Sequence, residues 1–187
     1  AAIWRKLVDA KPKDAVVAAQ VAGLMRQAGL LDDSAELLQR AVDLAPETLQ
    51  HREELGEVLD ALKKKEESLA VWRSMAEEPR RTAPNLGHLA EVLGRYGYRD
   101  ESLKTIDAAC ELDRKSLELR FQQIDLHRQW KQFAAAREAI AAAAELADSP
   151  ETFDRVVQRE IDVLSEAELL TTVIEELREG GIARGGE

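Results

Sequence analysis

Residues 15–48 read AVVAAQVAGLMRQAGLLDDSAELLQRAVDLAPET, and this stretch decides the fold. Val17, Val21, Leu24 and Met25 recur at helical spacing, so 15–28 is expected to form a helix with one apolar face. Gly29 stops that helix and Asp32 starts a second, whose Leu37, Leu38, Ala41 and Leu44 share a face until Pro46 closes it. The short loop between them forces the two helices to run antiparallel. The pattern then returns every 34 residues. Ala41, Met75, Ala109 and Ala143 form one column, and Ser34, Ser68, Ser102 and Ala136 another. Leu38, Trp72, Ile106 and Ile140 form a third, and Leu24, Val58, Val92 and Leu126 a fourth. A chance coincidence of apolar residues would drift out of step within two repeats.

Working outward, four full repeats occupy 15–48, 49–82, 83–116 and 117–150. Their helices are expected at 15–28 and 32–45, 49–62 and 66–78, 83–96 and 100–113, and 117–130 and 134–147. Residues 1–12 fit the register as a half repeat, with Trp4 one period before Leu38 and Pro12 one period before Pro46. The parent protein is therefore expected to continue upstream. A last helix pair or cap follows at 151–179, with helices at 151–164 and 167–179, and 180–187 reads as a flexible tail. In the last helix Leu169, Leu170, Val173, Ile174 and Leu177 form a stripe opposed by polar residues, as suits the end of a stack.

Composition supports this and narrows the function. The chain is 45% hydrophobic, 33% charged and only 4% aromatic, and Ala, Leu, Glu and Arg dominate, which are helix formers. A net charge of -10 and a pI of about 5.0 argue against nucleic acid and against an anionic membrane surface. No run approaches the roughly 20 apolar residues of a membrane span. A single cysteine, Cys110, gives no disulfide and no cysteine-based zinc site. The compartment is open, with the cytoplasm slightly favoured.

A 34-residue helix-turn-helix unit resembles the tetratricopeptide repeat (TPR) family as a divergent array, over nearly the whole chain to about residue 179. The family's Leu-Gly pair stands as Leu55-Gly56, weakens to Val21-Ala22 and Leu89-Ala90, and fails at Gln123-Ile124. Its small residue early in the second helix is matched by Ser34, Ser68, Ser102 and Ala136, and its later alanine by Ala41, Ala109 and Ala143. Its closing proline is matched by Pro12 and Pro46, with Pro79 and Pro150 slightly displaced; the family's first-helix aromatics are absent. The resemblance implies an all-α, right-handed superhelical α-solenoid of antiparallel helix pairs, with ligands along the concave side lined by the first helices. It also implies a protein-interaction scaffold.

Chemistry is sparse. His51, His88 and His127 are never at a spacing that presents two ligands on one helix face, so no metal site is expected. Asp32-Asp33-Ser34-Ala35-Glu36 reads as helix-start acids rather than metal ligands. Cys110 with His88 lacks an orienting group and an anion hole. No cofactor, metal or catalytic residue is expected, and the chain is not expected to be an enzyme.

The expected groove carries Glu53, Glu54, Glu57, Asp60, His88, Glu91, Arg95, Phe121, Asp125 and Arg128. The family's carboxylate clamp of Lys, Asn and Arg is replaced by Ala19, Gly23, Glu54, Glu118 and Gln122, which disfavours acidic tails. The acidic track favours a basic or neutral protein or peptide partner, with Phe121 as an anchor. The alternatives are a structural spacer that self-associates through Ile3, Trp4, Leu7 and Val8 at the N-terminal end, or a substrate-recruiting region of a larger enzyme.

Overall fold

The computed structural model describes residues 2–169 and 171–174. Every regular element among them is a helix: α1 (Ala2–Ala10), α2 (Ala15–Gln27), α3 (Leu31–Leu44), α4 (Leu49–Ala61), α5 (Lys65–Arg73), α6 (Ala83–Arg95), α7 (Arg99–Leu112), α8 (Leu117–Gln129), α9 (Phe133–Ala144) and α10 (Pro150–Glu166). Residues 171–174 are helical as well. The chain forms two compact units, Ala1–Val92 and Leu93–Glu187, each described by itself below.

The period is written into the backbone. Gly29, Lys63, Gly97 and Lys131 stand 34 residues apart, and all four have positive φ, between 55° and 84°. Each ends a first helix in the same way. At the first of these turns the Gly29 amide donates to the Arg26 carbonyl (3.0 Å) and the Leu30 amide to the Met25 carbonyl (2.9 Å). This left-handed closure satisfies carbonyls that the helix end leaves free. First-helix starts obey the same register, since Asp14, Thr48, Thr82 and Ser116 precede them; the Asp14 carboxylate accepts from the Val17 amide (3.1 Å) and the Ser116 hydroxyl from the Leu119 amide (3.3 Å). Asp32 and Asp33 lie inside the first turn of α3 rather than at its cap, so they act on the helix dipole.

In the first unit, Val8, Val21, Met25, Leu37, Leu38, Leu55, Val58 and Leu59 form the core. The small column also makes polar ties: the buried Ser34 hydroxyl donates to the Ala22 carbonyl and the buried Ser68 hydroxyl to the Gly56 carbonyl, both at 2.9 Å. Each serine thus ties its helix to the preceding one. Trp72 is fully buried. Its indole lies so close to Gly56 that a Cβ there would be 2.1 Å from Nε1, and Nε1 donates to the Glu53 carbonyl (3.2 Å).

The second helix of this repeat is shorter than expected, since α5 ends at Arg73 and not near residue 78. The Ser74 hydroxyl turns back to the Val71 carbonyl (2.6 Å), and the Arg80 side chain takes the Ser74 carbonyl (3.1 Å). These bonds replace the next helical turn. Met75 and Ala76 stay buried within the resulting irregular segment. Arg52, which donates to the Pro46 carbonyl, is buried beside it; burial, then the nearby Arg80 charge, hold its guanidinium below the usual arginine range.

In the second unit, Phe121, Ile124, Ala136, Ala139, Ile140, Ala143, Val156 and Val163 form the core. Ser149 and Thr152 make a reciprocal capping box around Pro150, so α10 starts one residue before the register and runs 17 residues against 13 in α8. Its closing positive φ falls at Glu168. The last pair is therefore out of step with the others. The remainder of the expected closing helix beyond residue 174, its Leu170 and Leu177, and the expected tail 180–187 lie outside the described residues.

Candidate partner-binding face

First helices present two kinds of position. One faces the second helices and the core, and the other forms a surface whose chemistry differs between the units.

In the first unit an open groove of 520 Å³ lies along α2 and α4. Its lining includes Ala15, Ala19 and Gly23 from α2 and Gln50, His51 and Glu54 from α4. The Glu54 carboxylate accepts from the neutral Gln50 amide (2.7 Å). His51 is only 8% exposed, and its Nδ1 has no hydrogen-bond partner. At the edge, Arg26 bonds Glu57 (2.7 Å), while Glu53 bonds His88 (2.9 Å). Two carboxylates of the expected acidic track are thus paired within the chain. Asp60 and Glu91 are half-buried. The net charge is not concentrated in this unit: residues 1–92 carry 13 basic and 16 acidic side chains, against 13 and 20 in 93–187.

In the second unit the corresponding surface is closed. Phe121 is 1% exposed, so it is no presented anchor as the sequence suggests. The guanidinium groups of Arg155 and Arg159, from α10, lie 4.4 and 4.1 Å from its ring centroid. Both guanidinium groups are thus within cation–π distance of one ring. Arg155 also pairs with Glu118 (3.0 Å) and Arg159 with Asp125 (3.2 Å). Arg128 bridges Asp162 (3.1 Å) and Glu166 (3.5 Å). Asp125 and Arg128 are therefore partnered with α10 and do not extend a free track. Arg95 is exposed at the end of α6.

The structure thus brings Glu53 to His88, and Asp125 to Arg159. It adds His51, Ala15 and Thr48 to the groove, which the sequence reading omits. The signal for His51 was faint, because it occupies a column shared with Val17, Asn85 and Leu119.

Other candidate groups are occupied structurally. His127 is buried, with Nδ1 2.8 Å from Gln132 Oε1. Cys110 is buried against Gln123 (Sγ to Oε1, 3.7 Å), and burial pushes its thiol up, so the protonated form is favoured. Among the described residues no group of three His, Cys, Asp or Glu is placed to hold a metal ion. No described helix is long and apolar enough to cross a membrane. At the N-terminal end Val8 is buried in the core and Trp4 packs against it, which leaves Leu7 as the exposed large apolar side chain described on α1. Of the four residues named from the sequence, Val8 and Trp4 are thus covered and Leu7 is exposed, and the Ile3 side chain lies outside the described residues.

No protein-family model matches the sequence, and no curated protein matches it. Solved structures do. The chain is similar to a crystal structure of MamA protein, with a TM-score of 0.53 at 10% identity over 88% of each chain. It is similar to a chain of the APC/C hetero-tetramer Cut9–Hcn1, with a TM-score of 0.52 at 12% identity over 95% of this chain and 35% of that one. It is also similar to TTC0263, a thermophilic TPR protein of Thermus thermophilus, with a TM-score of 0.50 at 20% identity over 84% and 87% of the two chains. The chain has a TPR-like fold, all-α and built from tandem helix pairs.

Proposed function

We propose that this chain is a protein–protein interaction scaffold that seats a peptide or helix of a partner against its first helices. One observation carries the reading: the 520 Å³ groove along α2 and α4, floored by small side chains and rimmed by polar ones. A concave surface with an apolar floor and a few polar groups is the usual form of a binding site. The likeness to a chain of Cut9–Hcn1, a hetero-tetramer, supports a role in assembly. The groove's polar rim suits a neutral or basic partner. The test is affinity capture by the full chain beside an Ala19→Trp variant, which fills the floor. Partners retained by the native chain and lost by the folded variant support the reading. Identical capture by both overturns it.

Self-association is favoured by a separate observation. Phe153 is 53% exposed and Ile161 42% exposed on α10, and Leu7 is exposed on α1. Uncovered apolar side chains favour contact with another surface. Light scattering at high concentration decides this reading, and a strict monomer removes it.

A further inference from the structure

Within the groove along α2 and α4, three independent features lack an internal explanation. The first is Gly23. A glycine inside a helix weakens it, because the backbone gains freedom in the unfolded chain. Gly56 is kept small by Trp72, but a Cβ at Gly23 would meet nothing within 4 Å. Nothing in the fold requires glycine there, and its position is the groove floor. The second is Glu54, a half-buried carboxylate on the groove wall whose bond is to the uncharged Gln50 side chain. Neighbouring Arg26 is engaged by Glu57. The third is His51, more than nine-tenths buried in the same wall with Nδ1 unpartnered. A buried polar group without a partner is uncommon in a folded protein and points to a missing one.

We propose that this groove recognises a basic side chain, arginine or lysine, carried by a peptide segment of a partner protein. The inference rests on the scaffold reading above and names the chemistry of its occupant. The aliphatic stem would lie on Ala15, Ala19 and Gly23, where the absent side chain leaves room for it. The cationic head supplies the opposite charge that Glu54 lacks, beside the His51 ring in the same wall. An acidic segment would meet Glu54 and be repelled. An apolar segment would leave Glu54 and His51 desolvated without partners.

The test is selection from a random dodecapeptide phage library on the full chain, followed by anisotropy titration of the selected peptides. Selected sequences are expected to share one Arg or Lys position. Replacing that residue by citrulline, which keeps the shape of arginine without its charge, is expected to weaken binding about tenfold or more, as for other charge-assisted bonds. Glu54→Gln is expected to remove most of that difference. Gly23→Leu is expected to abolish binding while circular dichroism shows unchanged helix content. Arginine replaced by lysine in the same peptide separates planar from point-charge recognition. Selected peptides without a shared basic residue, or no selected peptide at all, overturn the proposal. If such peptides still fail on Gly23→Leu, the groove reading stands and only the basic occupant falls. If Gly23→Leu and Glu54→Gln both bind as the native chain does, both readings fall.

Discussion

The first-helix surface is open between α2 and α4 and closed between α8 and α10, although both pairs belong to the same repeat pattern. Register isolates the cause. Ala19 shares a column with Phe121 and Gly23 one with Asp125, the two residues that Arg155 and Arg159 of α10 engage. Where α2 places these small side chains, α8 places a ring beside two guanidinium groups of α10 and the acid of an ion pair, while α4 carries Glu53 and Glu57 in the same columns. The scaffold is constant, and the side chains of two columns decide whether the surface is a groove or a sealed seam. Function on a repeat fold therefore resides in the column, and a search for sites should compare columns rather than scan for motifs.

The largest expected break of this contrast is Phe121→Ala with Asp125→Gly, which writes the open columns into the closed unit. Loss of a buried ring should destabilise by about 3–4 kcal/mol, read as a fall in the urea midpoint. A midpoint unchanged would mean that the guanidinium groups and not the ring hold the seam. The second prediction moves the comparison to the core. Gly56→Ala puts a Cβ against the Trp72 indole and should cost about 2 kcal/mol. The pair Gly56→Ala with Trp72→Leu recreates the Ala22 and Leu38 pairing of the preceding repeat, so most of that cost should vanish relative to Trp72→Leu alone. Additive losses would show that the two positions are not coupled. The smallest effect concerns turns that the two units share. Lys63 and Lys131 adopt the backbone that Gly29 and Gly97 hold without strain. Lys63→Gly should raise stability by about 0.5 kcal/mol after the entropy gained by the unfolded chain is deducted. A lower melting temperature would show that the lysine side chain contributes more than its backbone costs.

Much of the fold was legible because it repeats. Four copies of a column average out the noise of any single residue, so helix positions and small-residue contacts emerge from spacing alone. Departures confined to one copy were not legible. The end of α5 depends on Ser74 and Arg80 claiming backbone carbonyls, and nothing in the period announces it. The site was read less well for a related reason. Column position shows that Phe121 and Asp125 lie on the first-helix surface, but not that Arg155 and Arg159 cover them. Charge tallies misled in the same way, since the Glu57 charge is matched by Arg26 and Glu53 is hydrogen-bonded to His88. Partnership between side chains a full period apart is a property of two columns together, and reading each column separately misses it.

The polar ties of the second unit carry an evolutionary corollary. Asp125 with Arg159, and Arg128 with Asp162, are separated by one whole period. Each additional residue turns a helix by about 100°. A single-codon insertion within α10, between Val156 and Arg159, would therefore act as a phase error, swinging Arg159 and Asp162 away from their mates together. Duplication of a complete 34-residue unit would leave the phase intact and offer the new copy the same docking positions. Such an array can lengthen by whole units far more readily than by single residues.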